Sequence, residues 1–272
     1  MKGLRSAIAF LTVLPLGPGN AAEDFPAART WFPLVGLLLG SVLAGTDLLL
    51  QSAFSLLSSD SAPLDRQFPA LLAGALLIAA LALLTRALHL DGFMDTCDAL
   101  LGGLGRRQRL EILRDTHVGA FAVVGLTSLL LLKITSLAAL SQTSRQSVLL
   151  LFPCLSRWGM LLVMELFPYI RREGLGTAFF GNRGRRPLIG GLCLALAVAI
   201  ALGGATGALL FALASAVSWT VGYWAARALG GLTGDIYGAV NETAEASVLI
   251  VAAVLTAASP LTLSSPLAGC LE

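Results

Sequence analysis

The feature that most constrains this chain is a long run without charge. Residues 187–226 contain no Asp, Glu, Lys or Arg. A helix needs about 20 apolar residues to cross the hydrocarbon core of a bilayer, so this run is long enough for two crossings. Gly203, Gly204 and Gly207 near its middle predict a turn between them. Further uncharged runs occupy residues 30–46, 67–85 and 246–271.

Composition supports a membrane protein. Hydrophobic residues make up 56% of the chain and charged residues only 12%, whereas about a quarter of a soluble domain is charged. We predict an all-α fold, a polytopic transmembrane bundle of about 6–7 spans forming a single integral membrane domain over residues 1–272. The segment 1–15 is predicted to be interfacial or re-entrant. The predicted spans are residues 31–52, 68–88, 118–140, 147–167, 188–204, 207–226 and 247–266.

The distribution of arginine predicts the orientation. Cytoplasmic loops are enriched in Lys and Arg, and the arginine-rich stretches 91–117 and 168–187 are separated by two predicted spans. The cytoplasmic side therefore receives residues 1–30, 91–117, 168–187 and 227–246, and the C-terminus is expected outside. A net charge of only +2 gives no indication of a nucleic-acid partner. The four scattered cysteines contain no Cys-x-x-Cys pair, so we predict that they pack as apolar residues.

The same topology gathers carboxylates at one membrane face. Acids from distant parts of the chain are all predicted on the cytoplasmic side, at or near the ends of spans, which indicates a functional site. These acids are Asp91, Asp95, Asp98, Asp115, Asp235, Glu242 and Glu245.

The first motif is an acidic helix face. Asp91, Asp95 and Asp98 follow i, i+4, i+7 spacing, which places them on one face of a helix. Such closely spaced acids repel one another unless a cation lies between them, and Mg²⁺ prefers oxygen ligands. The alternative is a solvated acidic face. Because no Lys or Arg lies between residues 87 and 105, we favour metal binding.

Two further motifs supply acids. Asp115 fits a fourth metal ligand or a general base, but an ion pair with Arg114 or Arg109 explains it equally well. A glycine-rich turn containing Gly231 and Gly234 precedes Asp235. Such a turn lets backbone N–H groups approach a phosphate, and the alternative is a loop that caps a helix.

Glu242 and Glu245 follow that turn at i, i+3 spacing and are predicted to complete a metal site. We favour this functional interpretation of the motif over a purely structural one. The physical reason is that acids near a membrane face are costly and need a partner.

Several basic side chains suit phosphate. Arginine forks match phosphate oxygens, which makes Arg171 a candidate, whereas Arg183, Arg185 and Arg186 are better explained as a lipid-headgroup anchor. Lys133 and Arg157 lie inside predicted spans, where a charge needs a partner.

Arg157 and His89 each leave two interpretations open. Arg157 either neutralises a substrate phosphate or pairs with an acid such as Glu165. His89 either has a functional role, in which it positions Asp91 or touches substrate, or is only hydrogen-bonded in place, which is more common for a lone histidine. Together, the acids, the arginines and the glycine-rich turn predict magnesium-assisted chemistry on a phosphate-containing substrate.

The motifs resemble those of the cobalamin synthase family, the adenosylcobinamide-GDP ribazoletransferases, over nearly the whole chain. This chain departs from the family pattern at Ala99, at Thr116-His117-Val118 and at Ala122, none of which is an acid position. The resemblance rests on Phe10-Leu11-Thr12, Phe32-Pro33-Leu34-Val35-Gly36, His89-Leu90-Asp91-Gly92, Arg114-Asp115, Ser156-Arg157, Glu173-Gly174-Leu175-Gly176 and Thr233-Gly234-Asp235.

The resemblance implies a reaction and a set of roles. A ribose hydroxyl of α-ribazole, or of its 5′-phosphate, attacks the cobinamide-side phosphorus of adenosylcobinamide-GDP, and GMP leaves. The resemblance also implies Mg²⁺ as cofactor and the bacterial cytoplasmic (inner) membrane as location, with other enzymes of cobalamin biosynthesis as candidate partners. The expected metal ligands are Asp91, Asp95, Asp98 and Glu245, the expected catalytic residues Asp115, Asp235, Glu242, Arg157 and His89, and the expected substrate-binding residues Arg114, Arg171, Gly231 and Gly234.

Other membrane protein classes fit less well. A lipid-alcohol phosphotransferase, the strongest alternative, usually carries Asp-x-x-Asp-Gly-x-x-Ala-Arg, and a prenyltransferase carries an Asn before its first aspartate. Neither pattern occurs around Asp91. A transporter is disfavoured because the sequence shows no internal repeat and its acids are predicted at span ends.

Overall fold

The fold is a bundle of α-helices. The computed structural model describes residues 2–14, 27–57, 68–102, 105–171 and 185–258. Within these ranges the chain forms nine α-helices and one 3₁₀ turn, Arg29–Trp31, with no β-strand, so the all-α prediction is confirmed. The helices are α1 Lys2–Leu11, α2 Phe32–Leu57, α3 Ala70–Leu84, α4 Leu88–Leu101, α5 Arg106–Ile112, α6 Ala120–Ala139, α7 Gln142–Leu166, α8 Arg185–Leu229 and α9 Gly234–Ala258.

Length and apolar composition make most of these helices candidate membrane spans. Helices α2, α6, α7, α8 and α9 each qualify alone, and α3 with α4 qualifies as a pair that is bent by 94°. The bend occurs where Arg86 and Ala87 adopt left-handed φ values of 56° and 52°, a conformation that interrupts a right-handed helix. As a result, the axis of α4 is nearly perpendicular to that of α3, and the aspartates of α4 do not lie in line with α3.

The predicted turn inside the longest apolar run is confirmed. Gly204 has φ 54° and ψ −133°, which breaks α8. The Ala199 oxygen then lies against Gly207, although residues eight apart in a continuous helix are separated by about 12 Å. The chain therefore reverses at Gly204, and the two arms of α8 correspond to the predicted spans 188–204 and 207–226.

The predicted boundaries of the last span are wrong. Helix α9 begins at Gly234, well before the predicted start at residue 247, and residues 259–266 lie outside the described ranges. The prediction treated Glu242 and Glu245 as acids at a membrane end. Both are instead buried within α9. The buried charges are tolerated because each acid pairs with Lys133 of α6.

Helices α2 and α7 pack so closely that their backbones are in contact. Gly36 and Gly40 lie one turn apart on α2, and Cβ atoms added there would collide with the carbonyl oxygens of Pro153 and Leu149 on α7. Small residues with this spacing allow two membrane helices to approach closely. The prediction for α7 began at residue 147, whereas the helix starts at Gln142.

A buried ion pair joins the same two helices further along. Arg145 Nε donates to both carboxylate oxygens of Asp47, at 2.9 and 3.0 Å. Arg145 Nη1 also donates to the Leu137 carbonyl oxygen at 2.6 Å, and Gln146 Nε2 donates to Asp47 at 2.9 Å. Because the charge is matched and hydrogen-bonded, Arg145 is tolerated inside α7 and the helix extends past it.

We expect Gly40→Ala to destabilise the α2–α7 contact. The added methyl carbon would lie 2.6 Å from the Leu149 oxygen, and forcing a group into a packed contact costs about 1–3 kcal/mol. The measurement is the free energy of unfolding in detergent micelles. Gly45→Ala in the same helix is the matched control, since no atom lies within 4 Å there. Equal stability of the two variants would contradict the assigned contact.

Candidate active site

Two glycines bring helix α4 against helix α9. A Cβ added to Gly92 would lie 2.7 Å from the Asp235 oxygen, and one added to Gly238 would lie 2.8 Å from the His89 oxygen. The backbones are therefore in direct contact. This contact places Asp91 beside Asp235, although the two residues are far apart in the sequence.

The connection between α8 and α9 is held against the segment that follows α7. Ile170 N donates to the Leu232 oxygen at 3.0 Å, and Leu232 N donates to the Pro168 oxygen at 2.7 Å. Gly231, at φ 155°, has both Pro168 and Ile170 against its α-carbon. A side chain at Gly231 would separate the two segments, so this glycine has a structural role, and it is buried.

Pairing of the two segments positions Arg171. Its Nη2 donates to Asp235 Oδ2 at 2.7 Å and to the Leu113 carbonyl oxygen at 2.6 Å. Thr233 Oγ1 donates to the same Asp235 oxygen at 3.1 Å. Arg171 thus joins three distant parts of the chain at one point while remaining partly exposed.

Five of the seven predicted carboxylates surround one cavity of about 460 Å³, which we call the acid chamber. They come from α4, from the segment before α6 and from the start of α9. Two arginines share the wall, so negative charge is in excess. The carboxylates are Asp91, Asp95, Asp98, Asp115 and Asp235, and the arginines are Arg114 and Arg171.

Asp98 also has a structural partner. Its two carboxylate oxygens accept hydrogen bonds from the backbone N–H groups of Gly119 at 2.7 Å and Ala122 at 2.9 Å. At the start of α6 these N–H groups have no acceptor within the helix. A carboxylate at this end of a helix also interacts favourably with the helix dipole. Asp98 therefore fixes α6 against α4, which leaves Asp91 and Asp95 as the less constrained acids of this face.

Asp115 pairs with a different residue from those considered in the sequence. Neither Arg114 nor Arg109 is the partner; Asp115 Oδ1 accepts from His117 Nδ1 at 2.6 Å and from the His117 backbone N–H at 3.1 Å. These bonds hold the pKa of the Asp115 carboxyl below its usual range. The carboxylate in turn raises the pKa of His117. A depressed pKa makes Asp115 a weaker base.

A second, mainly apolar cavity of about 170 Å³ adjoins the first; we call it the apolar chamber. Asp91, Arg171 and Asp235 line both chambers and form the joint between them. The remaining wall includes Gly234 and His89, and the residues missed by sequence reasoning: Phe10, Leu88, Met160, Met164, Tyr169 and Tyr237. The available signals were the Phe10-Leu11-Thr12 motif and the closeness of Tyr169 to Arg171 and of Tyr237 to Asp235 in the sequence, which would have indicated three of these six residues.

Glu242 and Glu245 do not reach either chamber. Lys133 Nζ donates to Glu242 Oε2 at 2.7 Å and also to Glu245 Oε2. Glu245 Oε1 contacts Arg157 Nη1 and accepts from Asn241 Nδ2 at 3.1 Å. We call this group, with Ser156, the buried ion cluster. Its two cations and two anions balance, and each of these residues is at most 4% exposed.

Arg157 connects this cluster to the site. Its partner is Glu245, whereas Glu165, considered in the sequence, pairs with Arg29 at 3.0 Å. Arg157 Nη2 also lies 3.5 Å from His89 Nδ1. His89 therefore contacts the buried ion cluster through Arg157 and also lines the apolar chamber.

The described residues contain no group of three or more His, Cys, Asp or Glu side chains arranged to hold a metal ion. The donor set nevertheless suits Mg²⁺, which often takes only one or two carboxylates and completes its shell with water and substrate phosphate. Asp91 and Asp95 fit that need, since both line the acid chamber.

We expect Lys133→Met to lower the free energy of unfolding by about 3–5 kcal/mol, because it leaves buried carboxylates without their cation. Adding Glu242→Gln removes the excess negative charge, so the double variant should regain at least half of the loss. Denaturant titration in micelles measures both effects. Leu132→Met, at an exposed neighbour on α6, is the control. A double variant as unstable as the single one would contradict the charge balance.

The comparisons with known proteins agree on one family. The family model described as "Cobalamin-5-phosphate synthase" matches residues 3–253. No solved structure matches the chain.

Several proteins named adenosylcobinamide-GDP ribazoletransferase are similar over almost their whole length. The one from Pseudomonas paraeruginosa is 39% identical and covers 93% of this chain and 98% of its own. That from Synechococcus elongatus is 38% identical, with coverages of 91% and 94%, and that from Desulforamulus reducens 32% identical, with 92% and 95%. With the polytopic fold and the acid chamber, these matches establish that the chain belongs to the cobalamin-5-phosphate synthase family.

Proposed function

We propose that this protein is an adenosylcobinamide-GDP ribazoletransferase that completes the nucleotide loop of cobalamin. A ribose hydroxyl of α-ribazole, or of its 5′-phosphate, forms a bond to the cobinamide-side phosphorus of adenosylcobinamide-GDP. The bond from that phosphorus to the bridging oxygen breaks, GMP leaves with that oxygen, and the hydroxyl proton is released. The observation that carries the proposal is the acid chamber, with Arg171 at its joint, in a member of this family.

The acid chamber is proposed to hold the pyrophosphate together with Mg²⁺. Five carboxylates against two guanidinium groups would repel a bare pyrophosphate, so a divalent cation is needed for the substrate to enter. Asp91 and Asp95 are the proposed ligands. When bound, Mg²⁺ supplies neutralisation of the charge that develops on the phosphoryl oxygens.

Asp235 is the proposed general base. It lines both chambers, and the two side-chain hydrogen bonds that it accepts, from Arg171 and Thr233, fix its carboxylate in place. A base must lie within hydrogen-bond reach of the proton it removes, and the joint is the proposed meeting place of the two substrates. Asp115 is the less suitable base because its bonds with His117 lower the pKa of its carboxyl and because it lines only the acid chamber.

Arg171 and Arg114 are proposed to bind phosphate oxygens from the wall of the acid chamber. Asp98 is proposed to act by holding α6 in position. Arg157, Glu242 and Glu245 are proposed to support the site as part of the buried ion cluster, with no contact to substrate.

The proposed location is the bacterial inner membrane, with the site at the cytoplasmic face. The aromatic side chains Trp219, Tyr223 and Trp224 are exposed near the end of α8, next to the connection that leads to Asp235. Exposed Trp and Tyr mark the membrane–water interface, and the arginines of α5 lie at the same end, where Arg106 Nε donates to the Leu229 oxygen at 2.7 Å.

We expect Asp91→Asn and Asp95→Asn each to lower kcat/KM by at least about 1,000-fold, since the loss of a charge-stabilising group costs several kcal/mol in the transition state. The assay measures GMP and cobalamin formed by membranes containing the full chain, with adenosylcobinamide-GDP, α-ribazole and Mg²⁺. EDTA should stop the wild-type reaction, and added Mg²⁺ should restore it.

Arg107→Gln is the control for these two variants. It removes a charge from a side chain of α5 that is 93% exposed and should leave activity near the wild-type value. Near-normal turnover of both aspartate variants would contradict the assigned metal ligands, and turnover that persists in EDTA would contradict the cation.

A further inference from the structure

The apolar chamber differs in chemistry from the acid chamber, and the proposed phosphoryl transfer needs only the latter. The apolar side chains of its wall are mainly aromatic rings and thioethers. Polar groups are concentrated at the joint, where Asp91, Arg171 and Asp235 are shared with the acid chamber. A ligand in the apolar chamber would therefore have an apolar body and one polar end directed at the reacting groups.

The walls suit a flat ring. The rings of Tyr169 and Tyr237 stack with their centroids 6.1 Å apart and their planes 13° apart, which presents a planar aromatic surface. Met160 and Met164 face the same cavity of about 170 Å³. Methionine adapts its shape and makes favourable contacts with aromatic rings. A planar bicyclic ring system has the size and character that this chamber can enclose.

Among the parts of the two substrates, one ring fits this description best. The corrin ring is too large for the chamber. The guanine and adenine rings carry several donors and acceptors on their edges, and burying these without partners is costly. The 5,6-dimethylbenzimidazole base of α-ribazole has apolar edges, two methyl groups and a single unsubstituted ring nitrogen, which can only accept.

His89 offers a donor for that nitrogen. Arg157 can only donate, so His89 Nδ1, which lies 3.5 Å from Arg157 Nη2, accepts, and Nε2 carries the proton. Within the described residues this Nε2 is buried and has no hydrogen-bond partner, and His89 is one of the residues that line the chamber. A buried N–H without an acceptor is unfavourable, and the base nitrogen would supply the acceptor.

We infer that the apolar chamber binds the base of α-ribazole, with His89 donating to its unsubstituted ring nitrogen and the ribose hydroxyl at the joint beside Asp235. The inference rests on the proposed function and adds which substrate lies in which chamber. It makes Met164 and His89 determinants of base selection, separate from the groups that act on phosphorus.

The first test changes the size of the chamber. Met164→Ala enlarges it, so kcat/KM for the riboside of the larger naphthimidazole, relative to that for α-ribazole, should rise by about tenfold or more. The KM for adenosylcobinamide-GDP should change less than about twofold. Met94→Ala removes the same side chain from the wall of the acid chamber and should leave the base ratio unchanged. Both ratios are measured with the full chain in membranes.

The second test removes the acceptor. The riboside of 5,6-dimethylindole has a carbon in place of the unsubstituted nitrogen, and wild-type enzyme should use it about tenfold less well or worse, because the His89 donor is left unpaired. His89→Phe should bring the two ribosides to equal kcat/KM. Because the readout is a ratio within one variant, a general loss of activity cancels.

Two results would overturn the inference. One is an unchanged base ratio in Met164→Ala accompanied by a raised KM for adenosylcobinamide-GDP, which would place part of that substrate in the chamber. The other is full discrimination against the indole riboside in His89→Phe. Failure of the proposed function is separate, since it would appear as no GMP release by the wild-type chain with α-ribazole.

Discussion

Four helices of this protein meet at the buried ion cluster. Lys133 of α6 bridges Glu242 and Glu245 of α9, and Arg157 of α7 joins Glu245 to His89 of α4. Inside an apolar bundle, each of these charges is tolerated only because the others are present. The cluster therefore fixes which face of each helix points inward, and the orientation of α4 and α9 at the site depends on it.

Small residues set the distance between two of these helices, α4 and α9. Gly92 and Gly238 allow the backbones of α4 and α9 to touch, so the carboxylates on one helix face those on the other. The bend between α3 and α4 is necessary for this arrangement, since a straight continuation would carry Asp91 and Asp95 along the direction of α3. Charge pairing thus sets the rotation of the helices, and glycine sets their separation.

The sequence alone predicted the all-α class, most of the spans and the reversal at Gly204, because these depend on local composition and on runs without charge. It also brought Asp91, Asp95, Asp98, Asp115 and Asp235 to one place, since topology constrains which loops share a side. It could not predict the role of Glu242 and Glu245, because an acid that pairs with a lysine 109 residues away looks the same in sequence as an acid at a membrane end.

The apolar chamber was missed for a related reason. Its walls come from α1, α4, α7, α9 and the segment after α7, and none of its apolar residues forms a motif that the chemistry of phosphate would call for. Tyr169 and Tyr237 are distant in the sequence, and the pairing of Ile170 with Leu232 helps to bring their rings together. Sequence patterns indicate groups whose spacing is local, whereas a cavity is a property of the complete packing.

The excess of carboxylates in the acid chamber has a consequence for the order of events. An anion without a counterion would meet repulsion at the entrance, whereas under the proposed function a nucleotide bound to a divalent cation would carry less negative charge and would meet less repulsion. Under the same proposal, GMP would be a separate dianion in a negatively charged enclosure once transfer is complete, and its departure would relieve that repulsion. The negative field of the same acids would thus favour entry of the metal complex and exit of the free product.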